Sequence, residues 1–216
     1  MVRKPTATPL GEIFGDRLLV LGAHPDDCEL MAGGLLARWR GARKAVIVTT
    51  MRTSTPAKQT IRDGEIRMAM ETLGITDWEI GPHPDAELSH DATLTHYFED
   101  VFRDFRPTLV VTHKPDDFHQ DHRAISLAVD ACLRRANATL LHGESYLWPL
   151  AAPNLFVDIS KVVDEKLGAL RCYKSIISHE TFDPEAVKTF HRMRGTQTFA
   201  FAYAEAYRLV RSFWAG

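Results

Sequence analysis

Two short stretches of this sequence concentrate groups that bind metals and move protons. One is Gly22-Ala23-His24-Pro25-Asp26-Asp27-Cys28-Glu29. The other is His113-Lys114-Pro115-Asp116-Asp117-Phe118-His119-Gln120-Asp121-His122. Together they hold four of the ten histidines. His24 and Asp27 are three apart, as are His119 and His122, and at that spacing two side chains can face the same way if the backbone turns helically. Two neutral imidazoles and one carboxylate suit a borderline-soft zinc ion, and three protein ligands leave a fourth position for water. One carboxylate against a dication leaves a net positive centre, which lowers the pKa of water toward about 7. Asp26 stands beside this set as a candidate general base. The chemistry of the pattern is metal-assisted hydrolysis. Each half alone also has a plain structural explanation. Asp26 or Asp27 could cap a helix, Pro25 could shape a turn, and His119 and His122 could be exposed loop histidines. What favours chemistry is both halves falling at one edge of the fold.

That edge follows from the elements. Arg17 to Leu21, Ala45 to Val48, Trp78 to Ile80, Leu109 to Thr112 and Phe156 to Ile159 read as strands, the clearest being short continuous apolar runs. Between them, Leu30 to Arg40, Gln59 to Leu73, Thr93 to Phe105, Asp121 to Arg135 and Lys161 to Tyr173 read as helices, with Gly74 as a C-cap and Pro107 as a stop. Thr181 to Arg211 reads as mostly helix or extended tail, undivided. Alternating β and α with buried strands predicts a three-layer α/β/α, Rossmann-like fold with a mainly parallel sheet. Ligands of such sheets sit at the carboxyl ends of the strands, so the loops after Leu21 and after Thr112 are where chemistry belongs.

Composition narrows the classes. At about 150 residues per domain, 216 residues predict a single domain over 1–216. Hydrophobic residues at 45% and charged residues at 25% exclude a disordered chain. A net charge of -2 gives no basic excess for nucleic acid or an anionic membrane. No apolar run reaches the ~18 residues of a transmembrane helix, and Met1 to Phe14 lacks the apolar core of a secretory signal. Cys28, Cys132 and Cys172 are odd in number and widely spaced, which predicts free thiols in a reducing, cytoplasmic compartment. A closed homo-oligomer is the expectation for a soluble enzyme.

The motifs resemble those of the LmbE-like or PIG-L family of zinc-dependent N-deacetylases. The match comprises AHPDDCEL at Ala23 to Leu30, then Gly33-Gly34, then HQDH at His119 to His122. Arg62-x-x-Glu65, Pro84-Asp85, Arg194-Gly195 and Tyr203-Ala204-Glu205-Ala206 extend it, so that it runs from about residue 17 to about residue 211. The resemblance implies that His24, Asp27 and His122 are zinc ligands, with another divalent transition metal able to fit. It implies Asp26 as the general base, His119 as acid or electrostatic stabiliser near the leaving nitrogen, and Asp121 as the group orienting His119. Arg62 and Asp85 match substrate-facing positions. Their alternatives are a surface pair of Arg62 with Glu65 and an ordinary turn aspartate. Cys28 reads as a small buried hydrophobe rather than a soft ligand. The segment Met51 to Ala57 lacks the glycine common in the family, and is expected to help line the pocket. His113 could reach the site but carries no role from the resemblance. Asp116 and Asp117 read as a solvated loop with Lys114, a supporting contact behind the ligands of a metal being the alternative.

The implied function is release of acetate from an N-acetylated amino sugar or sugar conjugate of the N-acetylglucosamine type. Removal of another acyl group, or cleavage of a thiol-sugar amide, uses the same chemistry. From other classes, a two-metal phosphoesterase would need Asp116 or Asp117 as extra ligands. A sugar- or nucleotide-binding module would have no need of both metal motifs, and Gly22 with Gly33-Gly34 does not form the dinucleotide fingerprint.

Overall fold

The structure is a computed structural model that describes residues 10–39, 43–52, 56–178 and 182–213. Four sequence readings lie partly outside these residues: the start of Met1–Phe14, the end of Leu30–Arg40, the middle of Met51–Ala57, and Thr181. In chain order the elements are α1 (Leu10–Phe14), β1 (Arg17–Gly22), α2 (Asp27–Arg38), β2 (Arg43–Arg52), α3 (Pro56–Thr72), β3 (Asp77–Pro84), α4 (Ala92–Phe105) and β4 (Leu109–Thr112). They continue with α5 (Gln120–Leu133), β5 (Thr139–His142), β6 (Leu155–Asp158), α6 (Val163–Leu170), α7 (Lys174–Ile177), α8 (Pro184–Gln197) and β7 (Ala204–Arg211).

The strands form one sheet in the order β3-β2-β1-β4-β5-β7-β6. The first five are parallel, while β7 runs antiparallel to both β5 and β6. Successive strand residues point to opposite faces, and here both faces are covered. Leu18 and Val20 of β1 pack on one side with α2, α3 and α6, while Leu19 and Leu21 pack on the other with α4 and α5. This is the expected three-layer arrangement. The sequence reading did not include β5, and the undivided Thr181–Arg211 segment splits into α8 and β7.

The chain leaves β1 toward β2 and β3, then returns to place β4 on the other side of β1. The crevice at the carboxyl ends of β1 and β4 is therefore the topological switch point of the sheet. The loops Gly22–Asp27 and Thr112–Gln120 both open into it.

α2 is not a continuous helix. It breaks at Ala32 (φ −140°, ψ 15°). At the break, the fully buried Lys166 donates from Nζ to Leu30 O (2.8 Å), and Glu205 accepts from Gly34 N and Leu35 N (2.7 Å each). A cation thus meets the carbonyl end of the first piece and an anion the amide end of the second, the favourable sense for the helix dipole. Lys166 and Glu205 also pair with each other at 2.7 Å. Gly34 is required here, since a Cβ would come within 2.5 Å of Ile159 Cγ2 and 3.0 Å of Glu205 Oε1.

Candidate metal centre and its cleft

The turn between β1 and α2 is built around the Asp27 carboxylate. Its Oδ2 accepts from the backbone amides of Ala23 (3.1 Å) and His24 (2.8 Å). A Cβ at Gly22 would lie 2.8 Å from Cys28 Sγ and 2.9 Å from Asp27 Cβ, so only glycine lets the strand end this close to the helix. Asp26 at the N-cap adopts φ 93°, the left-handed region that non-glycine residues seldom occupy, and its side chain makes no capping bond. Cys28 is buried, with Sγ against the carbonyls of Val20 and Ile47, as expected of a small hydrophobe.

Three donor atoms from the two loops converge. Asp27 Oδ2 lies 3.3 Å from His24 Nδ1 and 3.3 Å from His122 Nε2, and those two nitrogens are 3.4 Å apart. Three corners of a tetrahedron with bonds of about 2.0–2.1 Å stand about 3.3–3.4 Å from one another. The donor set and its spacing therefore fit a tetrahedral divalent ion with one position left over. Three further groups among the described residues, each sharing a member with this triangle, also bring ligand atoms together: His24, His119 and His122; Asp27, His113 and His122; and His24, Asp85 and Asp121.

Each histidine of this triangle faces a carboxylate on its other nitrogen. His24 Nε2 lies 3.1 Å from Asp121 Oδ2 and 3.2 Å from Asp85 Oδ1. His122 Nδ1 lies 3.1 Å from Asp117 Oδ1, off the line of a good hydrogen bond. Such partners fix ring orientation and raise ligand basicity. Electrostatics agree with a cation site. Burial opposes charge on His24, but Asp121, Asp27 and Asp85 outweigh it and push its pKa up to about 12. Burial likewise opposes charge on His122, yet Asp27 and Asp117 raise it to about 9. Burial also resists ionisation of Asp27, but His122 and His113 hold its carboxyl well below the usual range.

The remaining candidates differ in placement. Asp26 is buried in the cleft wall. Burial, then the charges of Asp27 and Glu29, push its carboxyl well above the ordinary range, against the pull of His24 and Arg62. His119 packs edge-on to His24, ring centres 4.6 Å apart, and accepts the Asp121 backbone N–H on Nδ1 at 3.2 Å. Burial, reinforced by His24 and His122, keeps its pKa below the ordinary value. The neutral ring therefore carries its proton on Nε2. The expectation for Asp121 needs amending, because it is this backbone amide that meets His119. The carboxylate, in the tight turn opening α5, instead faces His24 and accepts from Ala86 N (2.9 Å) and Leu88 N (3.2 Å). Asp85 touches His24 from the cleft rim. Arg62 lines the cleft, and the surface pair with Glu65 does not form: Glu65 accepts from Ser175 N and Oγ at 2.7 and 2.6 Å.

Two further residues take part: His113, which the sequence placed within reach but without a role, and Asp117, for which a solvated loop was the favoured reading. His113 stacks on His122 with ring centres 3.7 Å apart, and its Nε2 lies 3.3 Å from Asp27 Oδ2. Its position immediately after β4 was the available signal. Asp117 is buried against His122 rather than solvated, whereas Asp116 is exposed. No spacing rule foretells that difference. The cleft has a volume of about 390 Å3. Its floor is the His/Asp cluster, and its wall includes Leu30, Met31, Leu147, Trp148, Ile176 and Phe182.

Fold and site together define an α/β protein with a metal-competent His/Asp centre at the switch point of its sheet. The sequence model of the PIG-L family, described as GlcNAc-PI de-N-acetylase, matches residues 19–133, and the chain belongs to that family. It is 29% identical over 174 residues to YaiS of Escherichia coli (strain K12), described as an uncharacterized deacetylase, with 73% of this chain and 90% of that protein covered. It is 25% identical over 205 residues to the diacetylchitobiose deacetylase of Thermococcus kodakarensis, covering 81% of this chain and 76% of the relative. Among solved structures, the conserved protein TT1542 from Thermus thermophilus superposes with a TM-score of 0.79 at 27% identity, covering 92% of this chain and 96% of that one. No helix among the described residues is long and apolar enough to cross a membrane.

Proposed function

We propose that this chain is a metal-dependent N-deacetylase, a single catalytic domain acting on an N-acetylated amino sugar or sugar conjugate of the N-acetylglucosamine type. The observation that carries the reading is the donor triangle of His24 Nδ1, Asp27 Oδ2 and His122 Nε2, with edges of 3.3–3.4 Å, beside the buried Asp26. Zinc suits two imidazoles and one carboxylate, and another divalent transition metal would fit the same donors. When bound, such an ion polarises an amide carbonyl and lowers the pKa of water.

The residues then divide the work. Asp26, whose carboxylate burial makes a stronger base than a free one, accepts the proton of the attacking water. Water oxygen adds to the carbonyl carbon, and His119 offers its Nε2–H to the developing oxyanion. As the C–N bond breaks, the proton taken up by Asp26 goes to the departing amine, while His119 keeps its Nε2–H on the oxyanion side; the acid formed ionises to acetate, and a free amino sugar leaves. Asp121 and Asp85 hold His24, Asp117 holds His122, and Arg62 supplies a positive edge to the cleft. The two-metal alternative loses support, because Asp117 stands behind His122 on the ring nitrogen away from the triangle.

The test is acetate release by zinc-loaded protein from N-acetylglucosamine, its nucleotide-diphosphate form and sugar-lipid or sugar-polyol conjugates. Chelated protein and the Asp26→Asn variant are run alongside. Acetate that disappears in both controls supports the proposal. A protein that binds one zinc per chain yet releases no acetate from any of these substrates contradicts it.

A further inference from the structure

One wall of the cleft is apolar and built to stay in place. The connection between β5 and β6 begins Gly143-Glu144-Ser145-Tyr146-Leu147-Trp148-Pro149-Leu150. Arg194 of α8 closes it into a ring. It donates from Nε and one terminal nitrogen to Glu144 (2.7 and 2.6 Å), and from that same terminal nitrogen to Leu150 O (3.0 Å). Leu150 N returns to Glu144 Oε2 at 2.5 Å. Arg194, Glu144 and Leu150 are all buried, so the ends of the loop are fixed by a satisfied internal ion pair. The base of the loop is pressed against α2, where a Cβ on Gly143 would meet Met31 Cβ at 2.8 Å.

The apex of this fixed ring displays apolar side chains. Leu147 is 39% exposed, and Trp148 lines the cleft with Leu147. Across the rim stands Phe118, 77% exposed, its ring centre 5.3 Å from that of Trp148. Phe118 lies in the chain between Asp117, which backs His122, and His119. Large apolar groups held exposed beside a polar centre mark a binding surface. Aromatic rings on a fixed loop bind with little ordering cost.

We infer that Phe118, Trp148 and Leu147 form a subsite for an apolar aglycone, alkyl or aryl, carried by the amino sugar on the amine side of the scissile amide. The inference rests on the deacetylase reading and narrows its substrate class. The direction follows from size. The carbonyl must lie at the donor triangle, and an acetyl group ends one carbon beyond it. Everything larger is on the amine side and runs toward the mouth, where the aromatic rim stands.

The experiment compares kcat/KM for the methyl, hexyl and phenyl β-glycosides of N-acetylglucosamine, and for N-octanoylglucosamine. It uses zinc-loaded wild-type, Trp148→Ala and Phe118→Ala proteins. The expected result is a gain of about tenfold for the hexyl and phenyl over the methyl glycoside, carried in KM, since an aglycone contact holds substrate and transition state alike. The hexyl-to-methyl and phenyl-to-methyl ratios fall toward 1 in both variants. Equal values for all three glycosides in the wild type, ratios that survive in both variants, or a gain only for N-octanoylglucosamine would each overturn the inference. Calorimetric binding of phenyl β-glucoside, which has no amide, separates the two failures. Binding weakened in Trp148→Ala, with no hydrolysis of any substrate, overturns the deacetylase reading while retaining the apolar subsite. No binding together with normal hydrolysis overturns the subsite alone.

Discussion

Lys166 and Glu205 hold the two pieces of α2 together, and substitution there has consequences that can be worked out. Glu205 receives four donors: Gly34 N, Leu35 N, the Tyr207 hydroxyl and Lys166 Nζ, each at 2.7 Å. Lys166 is spent on Glu205 and on Leu30 O. Breaking a buried pair from one side costs about 3–5 kcal/mol, because the surviving charge stays buried. The two sides are unequal. Lys166→Met leaves a carboxylate that still accepts three hydrogen bonds at the amide end of a helical piece, so its cost belongs near ~3 kcal/mol. Glu205→Gln sets an amide NH2 among donors and leaves the Lys166 ammonium with one carbonyl, so its cost belongs near ~5 kcal/mol. At about 2–4 °C per kcal/mol for a chain of this size, the losses in Tm are roughly 6–12 °C and 10–20 °C. Urea and thermal unfolding of the two variants and of the double variant measure this, and the double should be less destabilised than the sum of the singles. The first piece of α2 begins at Asp27, so zinc affinity should fall as well. If both single variants unfold within about 1 kcal/mol of wild type, the buried pair is not what holds the broken helix and the reasoning is wrong.

Other expectations follow from the same geometry. Asp117→Asn removes the carboxylate behind His122 and should weaken zinc binding about 10- to 100-fold in a competitive chelator titration, with little change in fold by circular dichroism. Gly22→Ala forces a Cβ to within 2.9 Å of Asp27 Cβ and should cost about 1–3 kcal/mol in urea unfolding, with zinc affinity falling in step; unchanged affinity would show that Asp27 tolerates the displacement. Stability should decline as pH falls below about 6.5, the ordinary histidine value. Burial, with Arg208 and His113 adding to it against the opposing pull of Asp116, lowers the His142 pKa to about 4. Burial with Lys166 and Arg194 holds His191 well below its usual value. At these two rings the unfolded chain therefore binds more protons than the folded one below pH 6.5, and each removes up to about 1.4 kcal/mol per pH unit, partly offset by the buried carboxyls of Glu29, raised to about 7, and Asp26. Urea midpoints of chelated protein at pH 7 and pH 5 measure this, and a smaller drop in His142→Gln assigns its share.

The parallel core of the sheet and both loops of the candidate site were legible because their signals are local. Apolar runs such as Leu18–Leu21 and Leu109–Val111 can satisfy burial on both faces only as interior strands. The strand-end rule then assigns the residues after them to the ligand edge. The types and spacing of the residues in these loops marked them as candidates for metal chemistry, and the family resemblance singled out His24, Asp27 and His122 among them. β5 and β7 were less legible. β5 has four residues, and β7 begins Ala204-Glu205-Ala206, where a charged side chain points inward. Nothing local explains a buried Glu205, because its partners Gly34, Leu35 and Lys166 are distant in the chain.

Residue types and local spacing thus specify the fold class and the edge of the sheet where the His/Asp groups gather. Tertiary packing settles which nitrogen of each histidine faces the centre, that Asp121 backs His24, that Asp117 is buried while Asp116 is exposed, and that Arg194 fixes the aromatic rim. The difference is one of range. Periodicity and residue type report on neighbours within a turn or a strand. Second partners are set by loops that meet only after the sheet has closed the distance between residues far apart in the chain, 97 positions for His24 and Asp121.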